Sequence, residues 1–366
     1  MLKFNFFEDL NLKKIMNIIL LSFIFYVISS VAFGGYALKW SWVNEWAPAH
    51  FNACYDETAS RPFIYRRFLF YSAKKIESLI PEQRKAKLIR SLQKRNFTQY
   101  FSQVHIDPNY YIAYHLVYFL SFACFFACLF VLRRIGFEIT GSKDIGTVSA
   151  CCFGLLFPLT DSRYFYDFSE VLFFSLATLF ALKGWWKALL ILSPIAEYNK
   201  ESFLFFLMTL FPILVTKIGM KKAGIVSVVS ILFSGCVYLY ERSIFSANSG
   251  STTFYQLPAH LEHIFNYHSW FDTGIQYGMI FGYGTFLPYL LLLAWIIKCT
   301  WKKLLPAFRY HIEIALALNI PLYLLFCALN EIRNFSLLYM GFMIMLAIYI
   351  KDLITNKGED DFGAKN

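Results

Sequence analysis

Long apolar runs recur along the whole of this chain, and they leave few folds open to it. They lie at 15–34, 110–132, 145–160, 168–183, 186–198, 201–216, 223–240, 276–297, 310–329 and 336–350. Most cover ~30 Å of hydrocarbon at ~1.5 Å rise per residue, or nearly so. A backbone surrounded by lipid must satisfy its own hydrogen bonds, so helices are the spanning element. The expectation is an all-α polytopic membrane protein with about ten transmembrane or half-membrane helices. Residues 1–350 read as a single transmembrane domain and 351–366 as a cytoplasmic tail, disordered from Lys357 onward. Composition agrees, because only 16% of residues are charged, where a soluble domain carries about 25%.

Two runs need separate treatment. Residues 186–198 are too few to span, and read as a half-depth helix packed inside protein, forming a hairpin with 201–216. Lys13 and Lys14, an apolar run and the small residues Ser30 and Ala32 look like a cleavable leader. The many later runs favour a retained first span instead.

Lysine and arginine set the orientation. Lys3, Lys13, Lys14, Arg133, Arg134, Lys143, Lys183, Lys187, Lys217, Lys221, Lys222, Lys298, Lys302, Lys303, Arg309, Lys351, Lys357 and Lys365 flank one set of ends. The short turns at the other ends hold only Arg163, Lys200, Arg242 and Arg333. The first set is therefore cytoplasmic, and both termini with it. The net charge of +10 belongs with these flanks and with anionic lipid, not with nucleic acid.

The 35–109 loop is extracytoplasmic although basic, since loops beyond ~60 residues translocate largely regardless of charge. Two helices are expected in it. The first starts near Ser60 and Pro62, with Ile64, Phe68, Leu69, Ile76 and Ile80 on one face and Arg66, Arg67, Lys74 and Lys75 on the other. That is the pattern of a helix lying on a membrane surface. The second starts at Pro81 and is strongly basic.

Polar chemistry gathers on the outward turns. "TDSRYFYDFSE" carries Asp161, Arg163, Tyr164, Tyr166, Asp167 and Glu170. Asp167 and Glu170 are three apart and share a helical face. "EYNKES" carries Glu197, Asn199, Lys200 and Glu201, and "NEIRNF" carries Asn330, Glu331, Arg333 and Asn334. The first loop adds Asp56, Glu57, Arg61, Arg66 and Arg67; the 241–275 loop adds Glu241, Arg242, His260, Glu262, His263, His268 and Asp272. Inward turns carry lysines and few acids. Ionisable groups near membrane depth are costly and mark function, so these turns are expected to ring one cavity.

The residue types suit a defined chemistry. A carboxylate can act as general base toward a hydroxyl. Arginine binds phosphate bidentately. Tyr164, Tyr166 and Trp270 offer faces on which a sugar stacks. Together they fit transfer of a group from a lipid phosphate carrier to an acceptor outside the cytoplasm. His260, His263 and His268 read as ordinary loop histidines, since zinc needs a complete ligand set and fixed geometry. The eight cysteines form no CxxC pair, so neither a disulfide framework nor a thiolate metal site is expected.

In this order the motifs resemble the GT-C superfamily of membrane glycosyltransferases, and among them small bacterial members that use polyprenyl-phosphate sugars. The likeness rests on "RPFIYRR" (Arg61 to Arg67) after an acidic residue, on Asp167 and Glu170 ahead of Trp185 and Trp186, on Asn199–Lys200–Glu201, and on Glu331, Arg333 and Phe335 before a late span. It covers residues 40–340. The resemblance implies an inverting sugar transfer in surface polysaccharide or glycolipid assembly, in the inner membrane of a bacterium. It implies Asp56 as base, with Glu57 and Glu45 as rivals, and Asp167 and Glu170 as groups that position acceptor or metal. Arg61, Arg66 and Arg333 would take the phosphate. Arg163, Tyr166, Asn199, Lys200, Glu201 and Glu331 would complete the substrate contacts. Lys200 stands where arginine is common, and lysine keeps the charge without the planar fork. No cofactor is certain, with Mg²⁺ or Mn²⁺ as candidates. The expected partners are a lipid-linked sugar donor and membrane lipids. A polysaccharide repeat-unit polymerase and a small-solute transporter are the rival readings. The transporter predicts broken midplane helices in matching halves, and only one interruption, at 186–201, is visible.

Overall fold

The computed structural model describes residues 5–40, 49–94, 107–159, 164–251, 253–271, 274–276, 279–281, 287–329 and 331–363. Their regular structure is helical apart from one short antiparallel pair, Gly274–Gln276 (β1) with Met279–Phe281 (β2). The helices are α1 (Asn5–Trp40), α2 (Phe51–Tyr55), α3 (Phe68–Ser78), α4 (Glu82–Gln93), α5 (Tyr111–Thr140), α6 (Lys143–Leu156) and α7 (Tyr166–Lys183). They continue with α8 (Trp186–Glu197), α9 (Ser202–Thr209), α10 (Phe211–Ile218), α11 (Met220–Ile244), α12 (Leu257–Phe265), α13 (Leu287–Thr300), α14 (Pro306–Phe326) and α15 (Tyr339–Gly363).

Among the described residues, 4 helical stretches are long and apolar enough to cross a membrane: Lys14–Gly34, Pro108–Thr140, Met220–Ile244 and Ile332–Thr355. The remaining apolar runs fall short in length, continuity or apolarity; Pro306–Phe326 has 21 residues but carries Arg309, His311, Glu313 and Asn319. The 201–216 run divides at Leu210, because Pro212 sits in the first turn of α10 and cannot donate back to a preceding carbonyl. Part of the 276–297 run forms the β pair, and α13 is described from Leu287 to Thr300. The tail differs from expectation too, since α15 runs on to Gly363. Extending a formed helix costs far less than nucleating one.

The centre is built on α5, α6 and α7. Phe174 stacks on Phe206 of α9 at 4.2 Å, and Phe125 of α5 meets Phe168 of α7 edge-on at 5.5 Å. The turn between α5 and α6 is set by Gly141, which closes α5 at φ +71, and by Ser142, whose hydroxyl caps α6 through the Ile145 amide. The two helices then approach at Gly136 and Gly146. A Cβ on Gly146 would lie 2.2 Å from the Arg133 carbonyl oxygen. Backbone cannot yield as a side-chain tip can, and small residues are what permit such approaches between membrane helices. Gly146→Ala is expected to cost about 1–3 kcal/mol, read as a fall in the unfolding midpoint in detergent, with Gly224→Ala in α11, where a Cβ would meet nothing within 4 Å, as the control that is not destabilised.

The two ends of the bundle differ in chemistry. At one end Glu138 receives both Arg134 and Lys183, at 2.7 Å each. Lys303 pairs with Asp352 at 2.7 Å, Lys351 reaches the Ser142 hydroxyl at 3.3 Å, and the Lys222 ammonium lies 4.5 Å from the Trp186 ring. These surface pairs add little stability, but they show that the lysine-bearing turns neighbour one another. The acids, amides and guanidiniums of the other turns meet at the opposite end.

Candidate functional site

The site begins at the N-terminal turn of α7. Asp167 and Glu170 lie on its inner face and are buried, each 2% exposed. The polypeptide supplies a counter-charge to each from a different turn. Arg333 Nη1 donates to both Asp167 oxygens, at 3.1 and 3.0 Å. Lys200 Nζ donates to Glu170 at 2.7 Å and lies 3.6 Å from Asp167. The Ser202 and Ser336 hydroxyls donate to the other Glu170 oxygen, at 2.7 and 2.9 Å. Buried charges survive only when paired and hydrogen-bonded in this way.

A second layer surrounds this core. Arg333 Nη2 donates to Glu331 at 2.8 Å. Glu331 also accepts from the Ala328 amide and from Asn334, which receives Lys200 at 3.4 Å. Arg66 grips Glu201 with two nitrogens, at 3.2 and 2.6 Å, and donates to the Tyr166 hydroxyl. Tyr164 and Tyr166 stack at 5.1 Å, with the Arg333 guanidinium 4.5 Å from the Tyr164 ring and Arg66 4.7 Å from the Tyr166 ring. Cations over aromatic faces are favoured by the ring quadrupole. Asn199 locks the turn through the Tyr166 carbonyl and the Ser169 hydroxyl.

Most of the expected site residues therefore meet: Asp167, Glu170, Arg66, Tyr166, Asn199, Lys200, Glu201, Glu331 and Arg333 form one bonded cluster from four separate turns. Arg163 lies outside the described residues, as do Asp161, Asn330, Asp272 and Glu45. Asp56 and Arg61 are placed elsewhere. Asp56 is exposed and accepts from the Tyr110 hydroxyl at the start of α5. Arg61 pairs with the loop after α11: its amide donates to the Ser249 carbonyl at 2.8 Å and its guanidinium to the Gly250 carbonyl at 2.8 Å.

The expected surface helix from Ser60 is also different. A 3-10 turn, Phe63–Tyr65, comes first, and α3 starts at Phe68. Arg66 and Arg67 consequently leave the predicted water-facing stripe and turn inward. The amides of Arg67 and Phe68 both donate to the Tyr198 carbonyl, at 3.1 and 3.2 Å. Arg67 pairs with Glu57 at 2.7 Å and Glu241 at 3.5 Å. Asn248 donates to the carbonyls of Glu57 and Ala59, at 3.1 and 3.0 Å. These bonds clasp the first loop to the end of α11 and hold Arg66 against the cluster. Glu57 sits at φ +66 within the clasp, a conformation uncommon outside glycine. Asn248→Ala strands those two carbonyls and is expected to cost about 1–2 kcal/mol. The check is faster amide hydrogen exchange confined to residues 56–67.

Two acids of this region outside the spans have shifted affinities for protons. Burial pushes the Glu57 carboxyl up, but Lys74 and Arg67 outweigh it and hold it below the usual range. Burial likewise pushes Glu331 up, and Arg333 outweighs it. Both folded-state values lie below the unfolded ones. Their stabilisation is therefore complete above the ordinary glutamate value of about 4.3 and is lost as pH falls through the folded values. The expected result is a thermal midpoint that drops in this acid window, with a shallower drop in Glu331→Gln.

Two of the partners carry no sequence signal of their own. Ser202 and Ser336 are ordinary serines until α9 and the 3-10 turn Ile332–Leu338 bring them to Glu170. Asn319, a polar residue in a late apolar run, donates to the Asn334 carbonyl at 2.7 Å and steadies the same turn. His260 is buried and bonds the Cys327 carbonyl at 2.8 Å, a loop staple. Among the described residues no group of three or more His, Cys, Asp or Glu is arranged to hold a metal ion.

Comparison with known proteins finds no family model that matches the chain and no curated protein similar to it.

Proposed function

We propose that the protein is a bacterial inner-membrane glycosyltransferase that moves a sugar from a polyprenyl-phosphate-type carrier to an acceptor on the extracytoplasmic side. In this reading the apolar runs form about ten spans or half-spans, the lysine-rich end and both termini are cytoplasmic, and the paired cluster faces out. The observation that carries the reading is the gathering of three cations, Arg66, Lys200 and Arg333, beside two stacked tyrosines, at the end of the bundle away from the lysine turns. Guanidiniums match phosphate oxygens bidentately, and aromatic faces suit a sugar ring.

The chemistry follows. An acceptor hydroxyl loses its proton to a carboxylate, and its oxygen bonds to the anomeric carbon. The bond from that carbon to the phosphate oxygen breaks, and the lipid phosphate leaves with its electron pair. Inversion results from attack opposite the leaving group. Asp56 is taken as the base because it is an exposed carboxylate of the first loop, the loop that also supplies Arg66, although it bonds Tyr110 and is not itself a member of the cluster. Arg66, Lys200 and Arg333 stabilise the leaving phosphate. Asp167 and Glu170 hold Arg333 and Lys200 in place before it arrives, so an incoming phosphate competes with them for the same donors.

The test uses purified protein in liposomes with radiolabelled polyprenyl-phosphate sugars and a mixed glycolipid acceptor fraction, with and without chelator. Transfer is expected in the wild type, with a fall of at least a hundredfold, on the order of what a general base contributes, in Asp56→Asn. Asp167→Asn is expected to fall as well, with the protein still folded. Transfer intact in both variants would end the assignment.

A further inference from the structure

Residues 253–271 follow α11 and lie at the same end of the bundle as the charged cluster. The segment is fixed to the end of α14. The Gln256 amide donates to the Leu325 carbonyl at 2.8 Å, and the buried His260 ring bonds the Cys327 carbonyl at 2.8 Å and packs on Tyr323. The part beyond α12 folds onto itself. Ser269 donates to the carbonyls of His263 and Asn266, and the Trp270 indole to the Ile264 carbonyl at 2.8 Å. The result is a knob tied to α14 and folded onto itself through these bonds.

What the knob presents is apolar. Phe265 is 82% exposed, Tyr267 69% and Phe271 61%, with Tyr255 and Leu261 beside them. These values match the bare flank of the candidate span α11, where Leu239 is 66% exposed and Ile225 64%. A water-facing loop rarely exposes such a group of large apolar side chains together. The exposed residues also continue the flank of α14, where Leu316, Ile320 and Phe326 lead up to the Leu325 and Cys327 anchor points. Charge points the same way. No lysine or arginine occurs between Arg242 and Lys298, and Glu262 is the sole acid of residues 253–271. Neutral aromatics at the ends of spanning helices are the signature of the membrane–water boundary, and an apolar helix face with satisfied backbone lies in that boundary stably.

We propose that the 253–271 knob is seated in the bilayer, with Phe265, Tyr267 and Phe271 inserted among lipid headgroups and upper acyl chains next to the charged cluster. The partner is phospholipid, bound through apolar burial and not through its charge. The inference depends on the helices crossing a membrane and not on the sugar chemistry, so the two can fail separately.

The test places the photoreactive p-benzoylphenylalanine at Phe265 or Phe271 in the full chain, with Ser251 as the polar control, in nanodiscs of phosphatidylcholine. Both positions are exposed and aromatic, so the substitution leaves packing intact. After irradiation, intact-mass analysis is expected to show single-phospholipid adducts at 265 and 271, at least five times more abundant than at 251. Equal yields at all three positions, no lipid adduct, or adducts joining two copies of the chain would each overturn the proposal. The last result would make the knob a protein interface.

Discussion

Arg333→Met is expected to lower the stability of the folded protein by about 3–5 kcal/mol, the cost of leaving a buried charge without its partner. Arg333 is 4% exposed and its guanidinium holds Asp167 and Glu331 together. Without it the Asp167 carboxylate keeps Lys200, at 3.6 Å, and Lys200 already serves Glu170. The double variant Arg333→Met/Asp167→Leu removes both charges of the central pair. It is expected to recover most of the loss, because a buried ion pair replaced by apolar groups of similar size is often neutral. Denaturant unfolding in mixed micelles, followed by a tryptophan signal, measures all three proteins. On the proposed function, transfer should stay lost in the double variant although stability returns, which would separate the pair's part in transfer from its structural part.

Glu170 carries the second large effect. It accepts from Lys200, Ser202 and Ser336, so it ties α7 to the 199–202 turn and to the turn before α15. Glu170→Leu takes the closest counter-charge from a buried ammonium, leaving it Asp167 at 3.6 Å, and removes the acceptor of the buried Ser336 and half-buried Ser202 hydroxyls, and about 3–5 kcal/mol is again the expected loss. Glu170→Gln keeps an acceptor for the hydroxyls and fills the same volume, yet leaves the Lys200 charge to Asp167 alone, at 3.6 Å. It should fall between wild type and leucine in stability. Lys200→Arg tests the departure from the expected arginine. It keeps the charge, but the planar fork needs more room than a site built around an ammonium offers.

How far the sequence anticipates this arrangement depends on which physical signal each part leaves. The spans are legible because lipid demands unbroken apolar length, and that demand is written residue by residue over Lys14–Gly34, Pro108–Thr140 and Met220–Ile244. The grouping of Asp167, Lys200, Glu201, Glu331 and Arg333 is legible because lysine asymmetry puts their turns on one side before any contact is known. The hairpin of 186–198 with 201–216 is expected from the same rule, and the chain does return so that Lys217 lies beside Gly184. Within the loops no such constraint operates. Arg66 fits a water-facing stripe if a helix starts at Ser60, but the 3-10 turn at Phe63–Tyr65 rotates it inward onto Glu201. Arg61 belongs to a clasp with Ser249 and Gly250, a pairing across 189 residues that no local pattern encodes. The break at Leu210 is signalled by Pro212, although the apolar count across 201–216 hides it.

Sidedness of the charged cluster is measured most directly by thiol labelling in intact cells. In a cysteine-free background, Ser251→Cys reports the end that holds Asp167 and Arg333, and Lys302→Cys reports the lysine-rich end. A membrane-impermeant maleimide should label position 251 in intact cells and reach position 302 only after permeabilisation. Labelling of 302 but not 251 in intact cells, or of both alike, would contradict an outward-facing transfer site.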